Sequence, residues 1–266
     1  TGSLMERVSK MEKDLYGTQS KGALAAKLDR IYKYMKDNAA TPSFLIKLNA
    51  VEWALNHSVT SQPAKLRLES IERAVIGNIP QGSLDSRLTK LADISFQDGK
   101  INVAETTINK DTLIKVKILS PLNTKTSRAG DPVVFQVSDD VYAGGILVIA
   151  SGAAGTGKIA KVDPAQNFGR DAKIEIAFET VEAIDGQLVP TLLGEKAKEE
   201  TKSMAKAAGA GVAGMVLLGP IGIVGAAFVH GQDINIPAGT ELFIQVRDDC
   251  EVYGIKIGRA SCRERV

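Results

Sequence analysis

The sequence predicts an α+β multidomain protein, with helical-hairpin repeats at the front and an all-β barrel or sandwich behind them. Three observations carry this reading. Apolar residues recur at helical spacing through the first 100 positions and repeat at an offset of 60. Short β-branched runs separated by Gly, Pro and Asp fill most of the remainder. Between them, Ala207 to Gln232 forms a glycine-rich hydrophobic insertion, read as helical, that contains no formal charge.

The helical half, 1–100, comes first. Sliding the chain by 60 residues aligns Arg7, Val8, Met11, Glu12, Gly17, Gly22, Lys27, Leu28 and Ile31 with Arg67, Leu68, Ile71, Glu72, Gly77, Gly82, Arg87, Leu88 and Leu91. Lys47, Leu48, Val51, Glu52 and Leu55 repeat the first half of the motif at an offset of 40, which makes two full units and one partial unit. Each helix carries one apolar stripe at i, i+3 or i+4, i+7. Gly17 and Gly77 fall where a helix takes a left-handed C-cap residue. A unit is then helix, short loop, helix, and such a hairpin buries its stripe only against stacked neighbours. The repeated Arg and Glu sit five apart, outside the i, i+4 geometry. Solvated faces are the favoured reading and partners between units the other. Trp53 and His57, four apart, read as core packing with a satisfied histidine. The pattern resembles the Arg-Leu-x-x-Leu-Glu-x-x-x-Phe-Gly repeats of envelope-associated proteins of diderm bacteria, over about residues 4–95. That resemblance implies protein partners docked on the helices.

In the β half, 101–256, the predicted strands are Leu113–Leu119, Val133–Val137, Leu147–Ala150, Gly157–Val162, Lys173–Thr180, Gln187–Leu192, Asp233–Ile236, Glu241–Val246 and Glu251–Ile255. Several alternate cleanly, as Ile174, Ile176 and Phe178 do against Lys173, Glu175 and Glu179. Turn and strand-start positions are Gly130, Asp131, Pro132, Gly152, Gly157, Gly186 and Gly239. The string Leu122-Asn123-Thr124, Arg128 to Val133, Ile149 to Gly152, Asp185-Gly186 and Ile236 to Thr240 resembles the C-terminal β-barrel domain of TrbI-type proteins. Those proteins form the outer-membrane core of type IV secretion and conjugation machines, and the resemblance implies a homo-oligomer with a helical hairpin projecting from the barrel toward a membrane.

Reactive constellations are sparse. Gly152 to Ile159 matches a phosphate-binding loop except for the final Ser or Thr, but a strand-like Ile-Ala-Lys-Val follows where that loop requires a helix. Gly209 to Gly214 is a G-x-G-x-x-G string preceded by a charged helix instead of a strand. Asp139-Asp140 and Asp248-Asp249 read as solvated turn pairs, and Cys250 as a small packed hydrophobe. No catalytic residue, cofactor or metal is expected. The insertion 207–232 has three readings: a hairpin entering a membrane, an amphiphilic segment at an interface, or a connection packed over the barrel. Its candidate contact residues are Gly211, Gly214, Val216, Leu217, Leu218, Pro220, Ile221, Ile223, Val224 and Phe228.

Residues 257–266 back-translate to a common short-read sequencing adapter and are set aside as non-native read-through. Without them, 30 basic residues face 30 acidic ones, with +4 on the helical half and −4 on the β half. Such a balance excludes nucleic-acid binding by bulk charge. Thr1 is not an initiator, so the chain is expected to be open at the front, and a signal sequence would not be visible in it. The reading that unites these features is a non-enzymatic component of the bacterial cell envelope, in the periplasm or outer membrane. The alternative is a soluble scaffold or adaptor without membrane contact.

Overall fold

The computed structural model describes residues 2–163, 172–207, 216–217, 225–226 and 233–257. The architecture is α+β, with helices first and a mostly antiparallel β region after them. The helices α1 (Leu4–Tyr16), α2 (Leu24–Lys36), α3 (Phe44–Asn56), α4 (Ala64–Val75) and α5 (Leu84–Ser95) begin 20 residues apart. The underlying period is thus one helix and one loop, and the offset of 60 spans three such steps. Ser3 caps α1 in a full capping box with Glu6, while Ser43 and Ser83 cap α3 and α5 through their hydroxyls.

Helices α1, α2, α4 and α5 are amphipathic in the ordinary way, but α3 is not. Phe44, Leu48 and Val51 pack against Leu68, Ile71, Leu88 and Leu91 of α4 and α5. On its other side, Ile46, Ala50 and Trp53 enter the core of the β region. A helix apolar on all sides is a buried helix, and here it joins the two parts of the molecule.

Strands follow as β1 (Val103–Ile108), β2 (Leu113–Ile118), β3 (Leu122–Asn123), β4 (Pro132–Val137), β5 (Val141–Ala143), β6 (Ile146–Ile149), β7 (Ala154–Asp163), β8 (Lys173–Glu182) and β9 (Leu188–Leu192). Helix α6 (Glu195–Ala207) precedes β10 (Val216–Leu217), β11 (Gly225–Ala226), β12 (Asn235–Ile236), β13 (Glu241–Val246) and β14 (Cys250–Lys256). Six strands close into an antiparallel barrel in the order β13-β2-β4-β7-β8-β9, the last pairing back to β13. Alternation places Ile114, Val116 and Ile118 of β2 and Val133, Phe135 and Val137 of β4 in its core. Phe135 and Phe178 meet edge-to-face with ring centres 5.1 Å apart. That ring takes space β7 must yield, since a Cβ on Gly155 would lie 2.0 Å from Phe135. A second sheet, β1-β14-β6-β5, adjoins the barrel and turns between β5 and β6 through Gly144 and Gly145, both at positive φ.

Within 207–232, where a helix is expected, Ala207 ends α6, and β10 and β11 pair antiparallel, Val216 with Ala226 and Leu217 with Gly225. These four positions, read as helical, are strand; apart from them and Ala207 the insertion lies outside the described residues. Among the described residues no helix is long and apolar enough to cross a membrane.

Candidate docking surface

The repeated glutamates are internal struts. Glu12 of α1 is fully buried and accepts Lys27 Nζ at 2.8 Å and Arg30 Nη2 at 2.6 Å, together with the Ser20 hydroxyl and, at 3.2 Å, the Ser20 amide. Glu52 of α3 takes Arg67 Nε at 2.9 Å, the Thr60 amide at 3.1 Å and the Thr60 hydroxyl at 2.9 Å. Glu72 of α4 takes Arg87 at 2.8 and 2.5 Å in a bidentate pair. In each case the cation stands 15 residues further on, in the next helix, so the glutamates are not on solvated faces: Glu12–Lys27 and Glu72–Arg87 tie the two helices of one unit and Glu52–Arg67 runs between units, while of the repeated arginines Arg67 is buried and Arg7 exposed. The cause lies in packing. Both groups face the inter-helix seam, where an unpaired charge would be costly, so each carboxylate is matched by a cation from the following helix. Lys27 leads the interactions that hold the Glu12 carboxyl down, from 4.5 to about 2, with Ser20 next.

The step from α2 to α3 departs from this rule. Tyr32 stands where the other units place glutamate, and Lys47, the counterpart of Arg67, turns to Asp85 Oδ1 at 3.4 Å and to the face of Tyr34 at 5.5 Å. The Tyr34 hydroxyl also bonds Asp85, and burial first, then that carboxylate, push its pKa up.

The seam with the barrel is polar and specific. Asn49 receives Arg67 Nη2 at 2.6 Å and donates to the Ile184 carbonyl at 2.7 Å. Trp53 Nε1 donates to Asp140 at 2.9 Å, and the same carboxylate accepts the Ser151 amide at 2.7 Å. The Val59 amide bonds the Ser151 carbonyl at 2.8 Å. Asp140 is therefore a bracing group, not a solvated turn residue. His57 is exposed at the left-handed C-cap of α3, not in the core, with its ring edge-to-face on Trp53.

The α1–α2 hairpin presents exposed apolar residues. By the offset of 60, Met11, Leu28 and Tyr32 correspond to Ile71, Leu88 and Ala92 of α4–α5. The first three are 48, 42 and 65 % exposed; the second three, covered by α3, are 4, 0 and 4 % exposed. Exposed Leu4 and Met5 extend the same helix. This surface was missed because its residues follow the core pattern, and periodicity alone gives no sign that a stripe is left uncovered.

The turn and cap residues lie as follows. Gly17 ends α1 at φ +78° with its amide on Lys13 O, and Gly77 follows α4 at φ +85° with its amide on Glu72 O. Asp131 accepts the Arg128 amide, and Gly130 and Asp131 exchange backbone bonds with Ile159 where Pro132 opens β4. Gly152, Gly186 and Gly239 have positive φ in turns. Gly157 lies inside β7 at a register shift, and Gly152 to Gly157 runs from a turn into that strand. Of the insertion residues, Val216 and Leu217 lie in β10; Gly211, Gly214, Leu218, Pro220, Ile221, Ile223, Val224 and Phe228 lie outside the described residues, as does the string 209–214. The Cys250 thiol is free and pushed up by burial and by Asp248 and Asp249, the opposite of an activated thiolate. Among the described residues no cluster of three His, Cys, Asp or Glu side chains is placed to hold a metal.

No protein-family model matches the chain, and no curated protein matches it. Among solved structures, the chain is similar to ComB10 of the Com type IV secretion system of Helicobacter pylori. The identity is 17 % and the TM-score 0.31, over 54 % of this chain and 88 % of that one.

Proposed function

We propose that this chain is a non-enzymatic structural component of a diderm bacterial cell envelope. It docks protein partners on its helical array and assembles, or meets the membrane, through the β region and the insertion 207–232. The observation that carries the reading is the α1–α2 hairpin, which turns an apolar face outward from an array held rigidly to a closed barrel by α3. Exposed apolar surface of this kind marks interaction sites. The envelope setting and the secretion association rest on the resemblance of the turn string to TrbI-type barrels. Fractionation of native cells tests them: the protein is expected with envelope fractions, and recovery wholly in the cytosol overturns the setting. Deleting 207–232 is expected to release the protein from membranes or to reduce its assembly state. Unchanged behaviour after deletion removes the insertion from that role.

A further inference from the structure

A cleft of about 350 Å³ opens where α1, α4 and α5 meet, a volume within the range of small-molecule sites, roughly 300–1,000 Å³. The end of α1 abuts the start of α5 beside it, since a Cβ on Gly17 would lie 3.6 Å from the Ser83 Cβ. The walls carry a cation from each helix: Lys13 of α1, Lys65 of α4 and Arg87 of α5. Arg87 is the buried member, 6 % exposed. Glu72 takes its Nε and Nη2, and its Nη1 has no partner among the described residues. A guanidinium carries N–H donors on all three nitrogens, so one edge of this buried cation is left for whatever enters the cleft. Lys13 makes no ion pair among the described residues, and Lys65 reaches only Glu69, at 4.0 Å. The Ser83 hydroxyl accepts the Ser86 amide and keeps its O–H to donate. Asp14 is the one carboxylate on the lining. The cleft is separate from the exposed apolar residues of α1–α2, because Lys13 stands about 200° round α1 from Met11.

We propose that this cleft binds the phosphate group of a small phosphate ester. Donors reach it from three helices and so from different directions, which suits a tetrahedral oxyanion better than a planar carboxylate, whose two oxygens face one way. Such a group takes a hydrogen bond from Arg87 Nη1 and from Ser83, and charge from Lys13 and Lys65. A soluble phosphate ester and a phospholipid headgroup share this chemistry. The site does not depend on the docking role of the helices.

The test titrates the full chain with glycerol phosphate by calorimetry at fixed ionic strength, and in a second arm sediments it with vesicles of phosphatidylglycerol or of phosphatidylcholine. Saturable one-site binding of glycerol phosphate, displaced by inorganic phosphate, is the result expected for a soluble ester. Sedimentation with phosphatidylglycerol vesicles alone assigns a lipid headgroup. In whichever arm binds, Lys13→Gln and Lys65→Gln each weaken it about fivefold, and Asp14→Asn tightens it. Arg87→Lys keeps a cation for Glu72, as Lys27 serves Glu12, but removes the Nη1 donors and weakens binding about tenfold. Lys33→Gln, at an exposed pair with Asp29 away from the cleft, leaves binding unchanged. The two lysines of the cleft are exposed, so those variants fold and carry the test even if Arg87→Lys does not. No binding in either arm, or binding indifferent to Lys13→Gln and Lys65→Gln, overturns the proposal. Equal weakening by Lys33→Gln also overturns it, because the attraction is then diffuse charge and not a site. None of these results bears on envelope location, which the fractionation reads independently.

Discussion

At Gly152 the backbone has a φ of +88°, and a Cβ there would lie 2.0 Å from the Val59 carbonyl oxygen. Conformation and contact both require glycine, because the α3–α4 loop sits directly on this turn. Gly152→Ala should destabilise the protein by more than about 1 kcal/mol, read as a fall in the urea midpoint. Glu12 gives a prediction with a sign in pH. Its carboxyl is held below the unfolded value, so its stabilising contribution is complete above 4.5 and is lost as the pH falls toward about 2. Urea midpoints measured down that range should drop more steeply in the wild-type protein than in Glu12→Gln. A parallel pair of curves would remove Glu12 from the acid limb.

Between helices, the ladder of buried pairs gives the array its register. Glu72→Ala leaves Arg87 buried and unpaired and should cost about 3–5 kcal/mol. Replacing both, Glu72→Leu with Arg87→Met, should cost less than that single change, since no charge is then stranded. Chemical denaturation of the three variants checks the order. Much of this level was legible in the sequence and part was not. Most strands lie within a few residues of their expected spans because β-branched alternation and turn glycines reinforce each other. β7 starts three residues early because Gly155, placed before the predicted strand, is a strand position where Phe135 leaves no room for a side chain. β1 lacks alternation in Val-Ala-Glu-Thr-Thr-Ile, and β5 is only three residues long. The 20-residue period is masked by Tyr32 and Ala92, which replace glutamate in α2 and α5 and make the offset of 60 the stronger signal. The Glu-to-cation pairs lie in different helices, beyond the reach of any i, i+4 rule. The open α1–α2 face is likewise invisible until the covering of each stripe is known.

Across the whole molecule, one core joins the barrel to Ile46, Ala50 and Trp53 of α3. Helices and barrel should therefore unfold together, with Trp53 fluorescence and far-ultraviolet circular dichroism giving one midpoint. Ile46→Asp, which places a charge in that shared core, should separate the two signals, and coincident transitions in this variant would show that α3 is not the coupling element. The connection is also distributed in space. Asn49 reaches Ile184 in the β8–β9 turn, Trp53 reaches Asp140 between β4 and β5, and Val59 reaches Ser151 between β6 and β7. A tensile load arriving from a partner on α1–α2 would divide among three turns instead of falling on one linker. Because the barrel is closed, it offers no free edge strand from which to unzip. Under such a load the helical end should yield first and leave the barrel intact as an anchor.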